Sequence, residues 1–374
     1  MLNLDHWVKE GEELAGEKLS DLLRKVPVVD PASVRMHKEP FAPYDYLFSF
    51  EIDGKPYTLI GEYKSSGQPK AVRAALQMLS TAQVDRQIVG HPVVMAPYLS
   101  SEARAVCDEA GAGYFDLEGN CRLSFANVYI ERSVPTRPVL QRRDLKSLFT
   151  PKSACLLRLM LRDPAQQWRT TELSEQSGVS VGHVSNVRHA LLDKEWAQVG
   201  KRGLFLSRPD ALLDAWRDAY KPPAGETQRF YTPLHGDTLQ NALKDISDPG
   251  LQQALDNVPM QLAWTGGSVM LASYSAAQWQ APYARNSTQY FFADKKGLYA
   301  LAGHLKLAPA AKGENVVVTL VEDPLLFHDA VPIHPQAFLL CTSPVQTYLD
   351  LWVSGERGRE AAEHLRSELF KWKK

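Results

Sequence analysis

Residues 169–207 read RTTELSEQSGVSVGHVSNVRHALLDKEWAQVGKRGLFLS, and this stretch decides how the chain is understood. Thr170–Ser177 has a helical pattern, Gly178 interrupts it, and a second helix is expected from Ser180 to about Trp196. Two short helices joined by a tight glycine turn make a helix-turn-helix. Ser180 carries the hydroxyl of a good N-cap. Val184, Val187 and Leu191 recur at helical spacing and should face a core. Residues 197–207 then read as two short strands around Gly200–Gly203, the pattern of a wing.

That spacing leaves Gly182, His183, Ser185, Asn186 and Arg188 toward solvent, with Ser180 opening the helix. They lie at or near the N-terminal half of the second helix, the end that meets base edges in this motif. Gly182 permits close approach. Asn186 has the amide that pairs with adenine, His183 can donate to a base or a phosphate, and Ser185 is within reach of a phosphate. Lys201 and Arg202, at the tip of the strand pair, are placed to grip the backbone. The competing reading is a plain helical subdomain, or a winged helix that contacts protein. The ordered set of cap, turn glycine, periodic valines and basic tip favours double-stranded DNA.

Local charge points the same way. Residues 137–221 hold 15 Lys+Arg against 9 Asp+Glu, whereas residues 1–134 hold 14 against 19. The whole 374-residue chain has a formal net charge of −1, so any nucleic-acid site must come from its basic middle. With 44% hydrophobic and 23% charged residues, the composition is that of a globular protein of two or three domains.

Working outward, Thr150-Pro151 is a helix start and Asp163-Pro164 a stop, and Pro209–Tyr220 is a further helix. The boundaries are a first domain over 1–134, a Pro- and Arg-containing linker over 135–149, a winged helix-turn-helix over 150–222, and a mixed domain over 223–374. The fold class is α+β, multidomain. In the last domain a helix is expected near 238–256, strands at 290–292 and 316–321, and a terminal helix from Gly358 to about Lys371. Cys107, Cys121, Cys155 and Cys341 are scattered, with no metal-ligand or disulfide spacing, which suits a reducing cytoplasm. The opening MLNLDHWVKEGEEL lacks the apolar run of a signal peptide, and no stretch approaches a membrane span. No membrane partner is expected.

The first domain alternates helical and strand patterns. Asp5–Lys25 reads as an amphipathic helix. Tyr46–Ile52 and Tyr57–Tyr63 read as strands joined by Asp53-Gly54, a hairpin signal. Helices follow at 69–82 and 101–110, a strand at 91–96, and a strand pair over 113–132 turning at 118–120. Asp45 precedes the first hairpin strand, and Glu62-Tyr63-Lys64 closes the second. Period-two alternation then puts two carboxylates and an ammonium on one face. Asp45 and Glu62 are candidate Mg²⁺ ligands, with Lys64 orienting a nucleophile. The arrangement resembles the PD-(D/E)xK restriction-endonuclease-like fold, in which Asp45, Glu62 and Lys64 would be catalytic. The alternatives are a surface strand with a salt bridge, or a relative of that fold that has lost cleavage. Without cleavage no cofactor is expected.

Other conspicuous residues read as structural. Asp116 and Asn120 lie in GAGYFDLEGN (111–120), where turn chemistry accounts for Glu118-Gly119-Asn120. His304, His328 and His334 have no metal-ligand spacing. Trp264–Ser268 contains a glycine pair that matches neither a P-loop nor a dinucleotide fingerprint.

Three stretches together carry a family resemblance: VVMAPYLSSEARAVCDEAGAGYFDLEGN (93–120), GVSVGHVSNVRHALLDKEW (178–196) and SPVQTYLDLWVSGERGREAAEHL (343–365). The chain resembles the AbiEi-type antitoxin and transcriptional-regulator family of type IV toxin–antitoxin systems. In that family the winged helix opens the chain, whereas here it follows an additional domain. The resemblance implies a bacterial protein that binds an operator and represses transcription; because a helix-turn-helix reads a half-site, a homodimer or multi-site binder is expected. The alternative is a metal-dependent nuclease delivered to DNA by its winged helix.

Overall fold

A computed structural model describes residues 2–39, 42–85, 87–134, 148–244, 268–283, 286–333 and 339–372. Most of the linker at 135–149, the second half of the helix expected at 238–256, residues 264–267 and His334 lie outside these residues. The chain is a mixed α/β protein and divides into two compact units, 1–143 with 190–195, and 144–189 with 196–374.

The first unit runs α1 (Leu2–Arg24), β1 (Arg35–Lys38), β2 (Tyr46–Ile52), β3 (Lys55–Tyr63), α2 (Pro69–Asp85), β4 (His91–Ala96), α3 (Ser101–Glu109), β5 (Gly113–Asp116), β6 (Cys121–Phe125) and β7 (Val128–Arg132). The strands form one sheet in chain order, with β3, β4 and β5 parallel and the other neighbours antiparallel. Asp53 and Gly54 both take positive φ, 49° and 71°, as the tight hairpin requires. The strand pair read over 113–132 is three strands, because the chain turns again at Ala126 with φ 48°. β1 has no buried side chain, so no periodicity announces it.

Alternation along the central strands divides the core in two. Tyr46, Phe48, Phe50, Leu59, Val93 and Met95 pack with Ala15, Leu19 and Leu23 of α1. Ile60, Val94 and Ala96 pack with Val72, Ala75 and Leu79 of α2 and Ala103, Val106 and Cys107 of α3. The sheet is therefore covered on both faces, and its central strands bury nearly continuous apolar runs.

The second unit begins with α4 (Pro151–Arg162), α5 (Thr170–Ser177), α6 (Val181–Asp193, whose last turn groups with the first unit), β8 (Ala197–Val199), β9 (Leu204–Leu206) and α7 (Pro209–Ala219). Gly178 ends α5 in the left-handed region, φ 67°. α6 stops at Asp193 rather than near Trp196, because Glu195 turns to φ 56° and Trp196 enters the core. Thr150 precedes α4 without a capping bond; its hydroxyl lies 3.2 Å from that of Ser153. β10 (Gly225–Tyr231), α8 (Gly236–Lys244), β11 (Val269–Leu271), α9 (Ser273–Gln280), β12 (Gln289–Ala293), α10 (Lys295–His304), β13 (Ala308–Pro309), β14 (Val316–Val321), β15 (Val331–Pro332), β16 (Leu340–Cys341), α11 (Pro344–Trp352) and α12 (Glu356–Leu369) follow. Their strands make a second mixed sheet in the order β13-β10-β14-β12-β11-β16-β15.

A buried polar cluster joins α4 to that sheet's surroundings. Arg158 donates from Nε to Asp329 (2.7 Å), from Nη2 to the carbonyl of Leu325 (2.9 Å) and from Nη1 to Gln346 Oε1 (3.2 Å). Gln346 Nε2 in turn donates to Tyr220 (2.6 Å) and Asp350 (3.0 Å), and the Tyr220 hydroxyl donates to Asp350. All four cysteines are free and buried. Among the described residues no helix is long and apolar enough to cross a membrane.

Candidate functional site

Two groups of side chains, one in each unit, merit description. The first is set by the β2–β3 register. Tyr46 pairs with Gly61, and the Asp45 amide donates to the Gly61 carbonyl at 3.0 Å, so Asp45 stands beside Glu62 on the face that carries Ile60. The structure thus brings Asp45, Glu62 and Lys64 together. Asp45 Oδ2 accepts from the Tyr63 amide at 2.7 Å, and Lys64 Nζ donates to Glu62 Oε1 at 2.6 Å. Glu62 is 3% exposed, and its Oε2 is buried with no hydrogen-bond partner.

Burial pushes the Glu62 carboxyl up to about 7; the neighbouring Asp45 charge adds to that rise while Lys64 opposes it. Asp45 is raised as well, first by burial, with the Tyr63 amide holding it back. Two desolvated acids side by side, with Asp45 opposing the ionisation of Glu62 and the Lys64 ammonium between them, leave a local deficit of positive charge. A divalent cation fits that deficit: Glu62 Oε2 is an orphaned acceptor, and Mg²⁺ takes one or two carboxylates and keeps several waters. Among the described residues no group of three or more His, Cys, Asp or Glu forms a larger cage.

The sequence reading missed Glu12, an acid on α1. Its charge contributes to the raised values of Asp45, Tyr46 and Tyr63. Glu12 pairs with Lys38 Nζ at 2.8 Å, and Lys38 lies over the Tyr46 ring. The run Glu10–Glu13 carried this signal, but on an amphipathic helix it reads as a solvated face. Asp116 and Asn120, by contrast, are fully buried and internally satisfied. Asp116 accepts from the amides of Leu99, Gly119 and Asn120, and Asn120 accepts from Arg104 and the Val134 amide. They build a turn.

The second group lies on α6 and the β8–β9 hairpin. Val184, Val187 and Leu191 are buried, as their spacing predicts. Ser180, Gly182 and Asn186 are exposed, and Ser185 and Arg188 are half-buried at the margins of that face. The Ser180 carbonyl accepts from the Val184 amide at 3.0 Å and so opens the helix. His183 is half-buried, and its Nε2 lies 2.9 Å from Ser153 Oγ, so this ring braces α6 against α4. Lys201 and Arg202 are exposed at the hairpin tip.

The tip is held from outside the hairpin. Gln167 Oε1 accepts from the Arg202 amide at 2.8 Å. Trp168 and Leu204 exchange backbone hydrogen bonds of 2.8 and 2.9 Å, which adds a third short edge to the hairpin. A Cβ on Gly203 would stand 2.2 Å from the Trp168 carbonyl oxygen, so only glycine passes there. The left-handed turn at Gly178 and the close passage at Gly203 place a small, polar helix face and a basic tip in the same unit. In comparisons with family profiles, with characterised proteins and with solved structures, no match to this chain is found.

Proposed function

We propose that this chain is a sequence-specific double-stranded-DNA-binding protein, a transcriptional regulator of the repressor type. Residues 150–222 would act as a winged helix, with α6 in the major groove and the β8–β9 tip on the phosphates. One observation carries the reading. The exposed face of Ser180, Gly182 and Asn186 lies on a helix that buries Val184, Val187 and Leu191, and the exposed Lys201–Arg202 pair is fixed on the hairpin of the same unit as that face. A polar helix face backed by a tight core and accompanied by basic side chains is what base readout plus backbone anchoring requires. The resemblance to type IV antitoxins supports the repressor role, and a dimer would read two half-sites about one helical turn apart. Four free buried thiols agree with a reducing cytoplasm.

The test is a mobility shift with the full chain on DNA from upstream of its own coding sequence. Asn186→Ala should weaken specific binding by about tenfold, the size of one bidentate base contact. Arg202→Ala should weaken all sequences alike and lower the salt slope by about one. Wild-type binding by both variants would sink the assigned surface.

The Asp45–Glu62–Lys64 cluster favours a second reading, a metal-dependent nuclease. Asp45 and Glu62 would hold the cation, and Lys64, already aimed at Glu62, would orient the attacking water. Bound Mg²⁺ would supply an acidified water and charge neutralisation at the scissile phosphate. The orphaned Oε2 of Glu62 is the supporting observation. Supercoiled, linear and single-stranded DNA incubated with Mg²⁺ or Mn²⁺ should be cut by the wild type and not by Glu62→Gln or Lys64→Ala. Intact DNA under every condition would leave the regulator alone standing.

A further inference from the structure

Two adjacent residues at the start of α6 are unexplained by anything inside the protein. Val181 is 49% exposed although it is apolar and opens a helix. Gly182 follows it in ordinary helical backbone, outside the positive-φ glycines, and a Cβ added there would meet no atom within 4 Å. Glycine in a helix costs stability relative to alanine, and here neither strain nor crowding requires it. Elsewhere in the segment glycine has an internal reason: Gly178 by its φ of 67°, and Gly203 by the Trp168 carbonyl. The open space over Gly182 and the exposed isopropyl group of Val181 leave room on this face for an apolar group to come very close.

On the major-groove edge of B-DNA the apolar group is the 5-methyl of thymine. We propose that Val181 and Gly182 form a contact for a thymine 5-methyl group, so that the preferred DNA carries a T opposite the first turn of α6. This rests on the DNA-binding reading above. Duplex DNA is the occupant that the charge supports, since Lys201 and Arg202 are exposed in the same unit. Asn186 stands one turn along the same face, and its amide suits an adenine, so the two contacts together specify an A·T-containing step.

The experiment uses the full-length chain. Duplexes are enriched from a random-core library, and each thymine of the winners is replaced in turn by uracil, which lacks only the methyl group. Binding is followed by fluorescence anisotropy. Uracil at one position per half-site should weaken the wild type about three- to fivefold, the effect of withdrawing one buried methyl. The same replacement should leave Val181→Ala unaffected. Gly182→Ala should raise the melting temperature yet weaken binding by about tenfold, because the added methyl fills the space the base needs. A merely structural glycine would not produce that opposition. Enriched duplexes that tolerate uracil everywhere, or that bind Gly182→Ala at wild-type strength, would overturn the methyl contact while leaving the interface. Failure to enrich any duplex at low salt would overturn the DNA-binding reading, and this proposal with it.

Discussion

Two buried acids differ in what surrounds them. Glu62 and Asp350 each keep one buried oxygen without a hydrogen-bond partner, but Glu62 has a second acid beside it and an ammonium that is partly open to solvent. Asp350 is enclosed: Tyr220 and Gln346 both donate to its Oδ1, and Arg158 is the nearby cation. Burial lifts the Asp350 carboxyl from 3.8 to about 7. The folded state thus holds a proton that the unfolded chain releases at lower pH. The stability this gives is complete below pH 3.8, declines as pH rises through that interval, and is gone above about 7. Asp350→Asn keeps an acceptor for Tyr220 and Gln346 and removes the charge. It should flatten the pH dependence and be more stable than the wild type by a few kcal/mol at pH 8, with near-equality at pH 4. Urea unfolding followed by tryptophan fluorescence measures this, since Trp168, Trp196, Trp216, Trp279, Trp352 and Trp372 all belong to the second unit. A wild-type midpoint independent of pH between 4 and 8 would refute it.

At the scale of elements, the hairpin shows how one position holds a local structure. Gly203 has φ 153°, and its α-carbon passes against the Trp168 carbonyl. Gly203→Ala should cost about 1–3 kcal/mol, the range for steric overpacking, and should displace Lys201 and Arg202. Thermal unfolding and DNA affinity should fall together, and an unchanged melting temperature would contradict the geometry. This hairpin, the glycine turn at 178 and the hairpin at Asp53-Gly54 were legible because their signals are local: turn residues between short periodic runs. The Asp45–Glu62–Lys64 convergence was legible for a related reason, since strand alternation fixes which side chains share a face. The strands of the second sheet were less so. β10 buries only Phe230 and pairs with β14, whose first residue is Val316, and β16 is two residues long and pairs with β11 at Met270 and Leu271. Such strands exist because of their neighbours, and no window of sequence contains both.

At the scale of the whole molecule, the same distinction explains α4. Its start and stop signals define a helix, yet they do not foretell that Arg158 is 4% exposed, because the helix is also covered by the chain around 325–329 and 346, more than 160 residues away. The clamp makes the helical segment and the second sheet parts of one unit, consistent with their grouping together over 144–374 apart from 190–195. Residues of the stretch SPVQTYLDL gain a physical role here, since Gln346 and Asp350 belong to the clamp and Tyr348 packs under Arg366. Breaking a buried ion pair from one side strands the other charge. Arg158→Ala should therefore destabilise the second unit by about 3–5 kcal/mol. Replacing both partners, Arg158→Met with Asp329→Leu, removes both desolvated charges and should recover most of that loss. If the pair only stabilises, the double variant will also recover DNA binding. If it orients α4, and through the Ser153–His183 contact α6, stability will return while affinity stays low. Denaturant unfolding and anisotropy on the same two variants separate these outcomes. A single variant as stable as the wild type would show that the clamp contributes nothing to the unit.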